Sequence, residues 1–413
     1  MARLLRVTAV LVACALAGAC SSGGDDDGDA GPPEGAGSSA DTRATTAAAE
    51  EFTDGDFYAV PDPLPEGSPG DLIRYQPVGE QIAGADAYRI MYLSESVAGD
   101  PIAVTGTALV PPAEAPSGGR RVLTIAHGTT GIADDCAPSK DPVPTELSLM
   151  GPYVEAGYLI AESDYEGLGT PGRHPYLVGE SEGRGVLDAA KAARALPGAD
   201  AGDQLAIFGY SQGGHGALWA GQLAADWAPE FDLVGTVAGA PATEIPVIVS
   251  AAGSMPIAGF LYMIFAGFAE AYDDADLSLV LTPAGLEQID RVDEGCVGQV
   301  LRAFAGRPAS ELIRSDAATV EPWATLAEEN NPGNVASDAP VLIVHSEADN
   351  VVPAALSEIL AGRMCDEGQV VERRVYEGTM DHGGAVPDAV SDGFAWVEAR
   401  FAGEEPASTC RTP

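Results

Sequence analysis

The sequence predicts an α/β fold, in which helices cover both faces of a mostly parallel sheet. Two observations support this prediction. First, short β-rich runs alternate with helical patterns along residues 121–401, as in parallel strands joined by crossover helices. Second, the apolar run 205–208 leads through Gly-Tyr-Ser-Gln-Gly at residues 209–213 into a helical pattern at residues 215–226. This order of strand, tight turn and helix is that of a nucleophile elbow and indicates an α/β-hydrolase fold.

The other elements follow in chain order. A Pro-rich strap at residues 57–77 is expected to be extended and to lie outside the core. The alternating runs 87–94 and 102–110 predict a β-hairpin. The remaining elements are strands at residues 121–126, 158–162, 205–208, 233–238, 340–344 and 370–376, and helices at residues 185–196, 215–226 and 390–401.

Residues 241–338 contain no convincing strand, and we interpret them as a helical cap inserted into the α/β domain. The uncharged run 245–268 is long enough to span a membrane, but Pro246, Pro256 and the lack of basic flanks favour a cap. The cap either forms an apolar core of its own or lines an apolar pocket over the active site. The predicted acyl-pocket residues are Phe260, Leu261, Met263, Ile264 and Phe265.

Composition excludes one class of function. The chain has 413 residues, of which 62 are acidic and 21 basic, and its net charge is −41. Such a field repels nucleic acid and anionic membrane surfaces, so we expect neither as a partner. The hydrophobic fraction of 46% is sufficient for a large core.

The N-terminus is typical of an exported protein. Arg3 and Arg6 precede an apolar stretch, and residues 1–19 are predicted to be a signal peptide. Cys20 follows directly and is the predicted lipidation site, with Cys14 as a weaker candidate and an unmodified secreted chain as the alternative. Residues 20–55 are predicted to be a flexible acidic, Gly- and Ser-rich tether, and residues 56–413 the hydrolase domain. Membrane association is expected only through this anchor.

Four cysteines remain beyond the signal region, namely Cys136, Cys296, Cys365 and Cys410. In an exported chain they suggest two disulfides, for which three connectivities are possible. Chain order favours a bond between Cys365 and Cys410, which would fasten the C-terminus, and therefore one between Cys136 and Cys296.

A serine nucleophile requires a base and a third group that orients the base. The order expected after an elbow serine is Ser, then Asp or Glu, then His. Ser211 is the predicted nucleophile. His382 is the predicted base, because it lies in a loop between the last strand and the last helix. Asp349 follows the strand at residues 340–344 and is the predicted acid, with Glu347 as the runner-up. The alternative role of Asp349 is that of a helix N-cap.

The developing oxyanion needs N–H donors. The main-chain amide of Gln212 supplies one, and the loop at residues 127–131 supplies the second through Thr129 or Thr130. Residues 167–172 fit G-x-G-x-x-G, but Pro171 within the motif and Pro175 after it do not allow the helix that a dinucleotide site requires. No metal-binding spacing occurs, and no cofactor is expected.

These motifs resemble the secretory lipase family, which includes fungal lipase A and an actinobacterial branch. The matching runs cover residues 57–410, and Asp-Tyr-Glu-Gly-Leu-Gly at residues 164–169 is much more specific than the elbow. Further matching runs lie at residues 63–74, 136–139 and 209–215 and around Asp349 and His382. The resemblance implies a triad of Ser211, Asp349 and His382, a cap that binds acyl chains, and disulfides Cys136–Cys296 and Cys365–Cys410. The loop at residues 127–131 departs from the fungal members, which carry acidic and aromatic residues there.

The predicted function is that of an exported, monomeric serine hydrolase that cleaves carboxylic esters, most simply a triacylglycerol lipase. The alternatives are a short-chain esterase or peptidase of the same fold, or a non-catalytic surface lipoprotein that binds lipid.

Overall fold

A ten-stranded sheet forms the centre of the computed structural model, which describes residues 49–251 and 258–410. The strand order is β1-β2-β3-β4-β6-β5-β7-β8-β9-β10. The strands are β1 (Glu50–Glu51), β2 (Leu72–Ile82), β3 (Ala85–Glu95), β4 (Pro101–Val110), β5 (Arg120–Ala126), β6 (Leu159–Ser163), β7 (Ala201–Tyr210), β8 (Asp232–Gly239), β9 (Val341–Ser346) and β10 (Val371–Tyr376). The neighbouring pairs β2–β3, β3–β4 and β4–β6 are antiparallel. The pairs β6–β5, β5–β7, β7–β8, β8–β9 and β9–β10 are parallel.

Twelve α-helices lie in the described part of the chain. They are α1 (Thr145–Ser148), α2 (Gly151–Glu155), α3 (Gly179–Ala193), α4 (Gln212–Trp227), α5 (Ile245–Ser250), α6 (Ala258–Ala271), α7 (Pro283–Leu286), α8 (Val297–Phe304), α9 (Ala309–Leu312), α10 (Trp323–Glu329), α11 (Ala354–Asp366) and α12 (Val386–Phe401). Helices α3 and α4 cover one face of the sheet, and α2 and α12 cover the other. Every residue of β6 and β9 is buried, as expected for parallel strands covered on both sides. The predicted α/β class is therefore confirmed.

The carboxyl ends of the parallel strands meet at one edge of the sheet. Strand β7 leads into Ser211, β9 leads towards Asp349, and the loop after β10 carries His382. Ligands of open α/β sheets bind beyond this edge. The topology thus brings together three side chains that are up to 171 residues apart in sequence.

The N-terminal part of the sheet is larger than the sequence predicted. The predicted hairpin is present as β3 and β4, but the second half of the predicted strap forms a further strand, β2, beside β3. Pro77 is tolerated within β2 because β1, the only strand on that side among the described residues, pairs with Arg74 and Tyr75 alone. Since β1 is Glu50–Glu51, the sheet begins within the stretch that was predicted to be tether. The signal peptide, Cys20 and the tether up to residue 48 lie outside the described residues.

Helix α3 starts at Gly179, six residues earlier than the sequence predicted. Two glycines in this early part of the helix are required by close packing. A Cβ atom on Gly179 would overlap the indole of Trp219, and one on Gly183 would press against the backbone of α4 at Ala220. Helix propensity is therefore overridden at these positions by the close approach of α3 to α4.

The described residues between β8 and β9 form helices α5–α10 around an apolar core that also includes Ile132 and residues 176–178 of the sheet domain. Phe265 and Phe268 of α6 pack against Trp323 of α10. Their ring centroids lie 5.3 and 6.2 Å, respectively, from that of Trp323. Of the helices in the described residues, none has the length and apolar character needed to cross a membrane.

Both disulfides favoured by chain order are present. Cys136 bonds to Cys296 and joins the loop after β5 to the start of α8. Cys365 at the end of α11 bonds to Cys410 near the C-terminus. The first bridge therefore ties residues 241–338 covalently to the sheet domain.

Replacing Cys136 and Cys296 together with serine should lower the free energy of unfolding by about 2–4 kcal/mol, because the bridge closes a long loop in the unfolded chain. Urea denaturation under non-reducing conditions measures this change. The matched control is the double replacement of Cys365 and Cys410, which frees a loop of 45 residues instead of 160. A midpoint equal to that of the wild type for the first variant would contradict the prediction.

Candidate active site

Ser211 occupies a strained turn between β7 and α4. Its φ of 61° and ψ of −120° are rarely adopted by a residue with a side chain. Two contacts with the neighbouring strand end hold this conformation. The N–H of Ser211 donates to Gly239 O at 2.9 Å, and its carbonyl oxygen accepts from the N–H of Ala242 at 3.0 Å. Strain that is fixed by the surrounding backbone is typical of functional positions.

The two glycines that flank the elbow are sterically required. A Cβ atom on Gly209 would overlap the carbonyl oxygen of Gly213, and one on Gly213 would overlap that of Ala126 at the end of β5. Helix α4 can therefore start directly above the sheet only because these side chains are absent.

His382 and Asp349 form a short hydrogen bond, with 2.6 Å between Nδ1 and Oδ2. The Asp349 side chain is fully buried, whereas that of His382 is 15% exposed. The other oxygen of Asp349 accepts the N–H groups of Val351 and Val352, each at 2.8 Å. Asp349 does not cap α11, which starts five residues later.

His345 adds a second imidazole beside Asp349, with its Nε2 3.4 Å from Oδ2. Burial alone would raise the pKa of Asp349. The contacts of the carboxylate with His345 and His382 and the hydrogen bond from the Val351 amide outweigh this effect and hold the pKa well below its usual range. Asp349 is thus kept as a carboxylate that can orient an imidazole.

His382 lies beside the elbow. Tyr210, which precedes Ser211, donates its hydroxyl to His382 O at 2.8 Å, and the two rings lie 5.2 Å apart. Because Asp349 occupies Nδ1, the nitrogen left for Ser211 is Nε2. Among the described residues no hydrogen bond joins Ser211 to His382, and catalytic hydrogen bonds of this kind often tighten only when substrate binds.

The loop at residues 127–131 lies next to the elbow, since a Cβ atom on Gly128 would be 4.0 Å from Ser211 Cβ. The N–H of Gly128 is already used, because it donates to Glu146 Oε1 at 3.1 Å. Thr129 Oγ1 shares a hydrogen bond with Tyr176 OH at 2.8 Å. Thr130 Oγ1 is buried and has no hydrogen-bond partner within the described part of the chain.

Gln212 is the first residue of α4, so its N–H has no acceptor within the helix. This is the position expected of an oxyanion donor that follows the nucleophile. Its side chain is buried and points into a cluster of polar groups behind the elbow.

An apolar cavity opens at Ser211. The lining side chains come from α5, α6, the loop before α3 and the segment that leads into α11. They are Tyr176, Leu177, Ala242, Val247, Ile248, Ala251, Phe260, Ile264, Val351, Val352, Pro353 and Leu356. None of these lining residues carries a charge, which suits the acyl chain of an ester.

The structure places two of the five predicted acyl-pocket residues at this cavity. Phe260 and Ile264 line the cavity, but Leu261, Met263 and Phe265 do not. Residues four apart share one face of a helix, and the other three side chains of α6 belong to the apolar core around the helix. Because α6 is apolar on all sides, its sequence could not show which face lines the cavity.

Other residues of the site gave no signal in the sequence. Tyr176 and Leu177 reach the cavity from the loop before α3, and Val352 and Leu356 reach it from the start of α11. The contact of His345 with Asp349 was likewise not predicted. Among the described residues, no cluster of three or more His, Cys, Asp or Glu side chains could hold a metal ion.

The solved structures similar to this chain share its fold. Lipase A of Candida antarctica superposes with a TM-score of 0.70 at 22% identity, over 84% of this chain and 85% of that one. The cell-wall-degrading esterase LipA of Xanthomonas oryzae superposes with a TM-score of 0.62 at 20% identity, over 81% and 95% of the two chains. These likenesses establish the α/β-hydrolase fold.

Sequence comparison gives the family. A secreted triacylglycerol lipase of Malassezia globosa is 26% identical over 382 residues, which cover 86% of this chain and 82% of the relative. Lipase 10 of Candida albicans is 24% identical over 390 residues with the same coverage. The profile of the secretory lipase family matches residues 142–409, well over half of the chain. The chain therefore belongs to the secretory lipase family and is a carboxylic ester hydrolase.

Proposed function

We propose that this protein is an exported serine lipase whose triad is Ser211, His382 and Asp349. The observation that carries the proposal is the short bond between His382 and the buried Asp349, beside a strained serine that faces an apolar cavity. A nucleophile, a base and an orienting carboxylate are the groups that acyl transfer requires.

Ester cleavage then proceeds in two stages. Nε2 of His382 accepts the proton of Ser211 as Oγ attacks the ester carbonyl, and the negative charge moves to the carbonyl oxygen. The N–H of Gln212 and a donor from Thr129 or Thr130 stabilise this oxyanion. When the tetrahedral intermediate collapses, His382 gives its proton to the leaving alcohol and the acyl group stays on Ser211. Water, deprotonated by His382, releases the acid and restores the serine.

The cavity supports a lipid ester as the substrate. Its described lining is apolar apart from the hydroxyl groups of Ser211 and Tyr176, and Tyr176 OH is bonded to Thr129. A peptidase of this fold would need a charged group to hold the substrate amine, and the described lining supplies none. The triacylglycerol lipase from Malassezia globosa among the relatives makes triacylglycerols the first substrates to test.

The two disulfides support export, because such bonds persist in oxidising compartments. We further propose that Cys20 is the site of lipid attachment, which would hold the enzyme at the cell surface. Mass spectrometry of the mature N-terminus tests this, since an unmodified N-terminal peptide would place the enzyme among freely secreted proteins.

Replacing Ser211 or His382 with alanine should lower kcat by about 10⁴-fold or more and leave the fold intact, because each group acts only in the chemical step. Hydrolysis of p-nitrophenyl esters measures the rate, and a fluorophosphonate probe should label the wild type but not Ser211→Ala. Ser250→Ala, on α5, is the control, since its hydroxyl is bonded to Pro246 O. Labelling of a folded Ser211→Ala protein would identify a different nucleophile.

Asp349→Asn should lower kcat by about 10⁴-fold, because an amide does not hold the imidazole in the required tautomer. It should also be less stable than the wild type at neutral pH. The pKa of Asp349 is lowered in the folded state, so its stabilising effect is complete above the ordinary carboxyl pKa of about 3.9 and is lost as the pH falls further. Urea denaturation between pH 7 and pH 3 should therefore show the stability difference shrinking at the acid end. A difference that grows on acidification would be inconsistent with this assignment.

Ile264→Ala should shift the preference towards longer acyl chains. Ile264 lines the cavity at Ser211 and also a small apolar void bounded by Val249, Phe268 and Trp323, so its removal should join the two spaces. The ratio of kcat/KM for long and short p-nitrophenyl esters measures the shift. Met263→Ala is the matched control, because Met263 lies on the same helix but outside the cavity and should change only stability. Equal chain-length profiles for the wild type and Ile264→Ala would exclude Ile264 as a determinant.

A further inference from the structure

A polar cluster with no assigned role lies directly behind the elbow. Glu182 of α3 and His215 of α4 are both fully buried, and 2.6 Å separates Oε2 from Nδ1. His215 follows Ser211 by one helical turn. Neither residue takes part in the proposed triad. Because buried titratable groups are rare unless they are paired, a buried pair outside the triad calls for an explanation.

The pair is completely satisfied by its surroundings. Glu182 Oε1 accepts the N–H of Leu177 at 3.0 Å and Nε2 of Gln212 at 2.8 Å. Nε2 of His215 faces the carbonyl oxygen of Asn330 at 2.8 Å and therefore carries a proton. Whichever atom holds the proton between Glu182 and His215, the pair has no net charge and can lie in the core.

The side chain of Gln212 is held at both of its N–H groups. One donates to Glu182 Oε1 and the other to Nε2 of His174, each at 2.8 Å. Nδ1 of His174 lies 2.9 Å from Glu166 O and must therefore carry the proton of this ring. Burial lowers the pKa of His174 to about 4, so the ring is neutral and its Nε2 can accept from Gln212.

The same carboxylate also fixes the opposite side of the site. By accepting the N–H of Leu177 it holds the loop that places Tyr176 and Leu177 in the cavity wall. Tyr176 OH in turn bonds to Thr129, a candidate for the second oxyanion donor. One buried group is thus connected by hydrogen bonds to both sides of the proposed oxyanion hole.

We propose that Glu182 and His215 are positioning residues of ester hydrolysis, which orient the main-chain N–H of Gln212 towards the oxyanion by clamping its side chain. This inference rests on the function proposed above. Because removal of one oxyanion donor lowers kcat by about 10²–10³-fold, misalignment of the donor should lower it by about 10-fold or more.

Gln212→Met tests the clamp, since it keeps the main-chain donor and the side-chain length but loses both hydrogen bonds. We expect kcat to fall about 10-fold or more while KM changes little. The inhibition constant of a trifluoromethyl ketone, which forms an oxyanion on the nucleophilic serine, should rise in parallel with the loss of kcat/KM. A purely structural role in a folded enzyme would not change the affinity for the oxyanion selectively.

Glu182→Leu should show the same loss, and Glu182→Gln should recover most of it. The substituted amide can still accept from Leu177 and Gln212 through its oxygen and can donate to Nδ1 of a neutral His215. Asp188→Asn is the matched control. Asp188 lies on the same helix, is equally buried and is paired with Lys191 at 3.0 Å, but has no contact with the elbow. It should lower the melting temperature without changing kcat.

The outcomes separate the two proposals. Wild-type kcat and inhibitor affinity in folded Gln212→Met would overturn the positioning role while ester hydrolysis through Ser211 still stands. If Glu182→Leu does not fold, Gln212→Met decides alone. If the wild-type enzyme cleaves no ester at all, the proposed function fails and the positioning role falls with it.

Discussion

The strained turn at Ser211 is the constraint on which the rest of the site depends. A non-glycine residue at positive φ costs roughly 1–3 kcal/mol, so such a turn persists only where its surroundings fix it. Here the surroundings are the ends of two neighbouring strands, through Gly239 on β8 and Ala126 on β5. The hydroxyl of Ser211 is therefore positioned by the sheet itself, and in the function proposed above the loops only need to bring His382 and Asp349 to that point.

The two sides of the elbow differ sharply in polarity. In front of Ser211 the cavity is lined by aliphatic and aromatic side chains, whereas behind it the buried groups are Glu182, His215, Gln212 and His174. Hydrogen bonds and dipoles act more strongly where water is excluded. In the function proposed above, the oxyanion would form between these two environments. Fixed hydrogen-bond donors would stabilise it from the polar side, and burial in the apolar cavity would stabilise the acyl chain.

Sequence reasoning placed the elbow and the neighbouring strands correctly, because their signals are local. The strand end before Asp349 and the loop of His382 are also defined by a few consecutive residues, and chain order then gave the acid and the base as predictions. Sequence reasoning failed where packing decides. The early start of α3 is understood only from the packing of Trp219 against Gly179. Because α6 is apolar around its whole circumference, its sequence does not show which face lines the cavity. Glu182 and His215 lie on two different helices, 33 residues apart in sequence, and no pattern in either helix predicts their contact.

The predicted cap, residues 241–338, is attached to the sheet domain at two points close to the elbow. The disulfide between Cys136 and Cys296 fixes the cap near the loop at residues 127–131. Near the C-terminal end of the cap, the carbonyl oxygen of Asn330 accepts from His215, and its side-chain oxygen accepts from the N–H of Gly179. These contacts attach the cap to helices α3 and α4, which carry Glu182 and the elbow. Because the cap is attached at two points close to Ser211, the side chains that α6 presents to the cavity would set the length and shape of the acyl chain in the function proposed above.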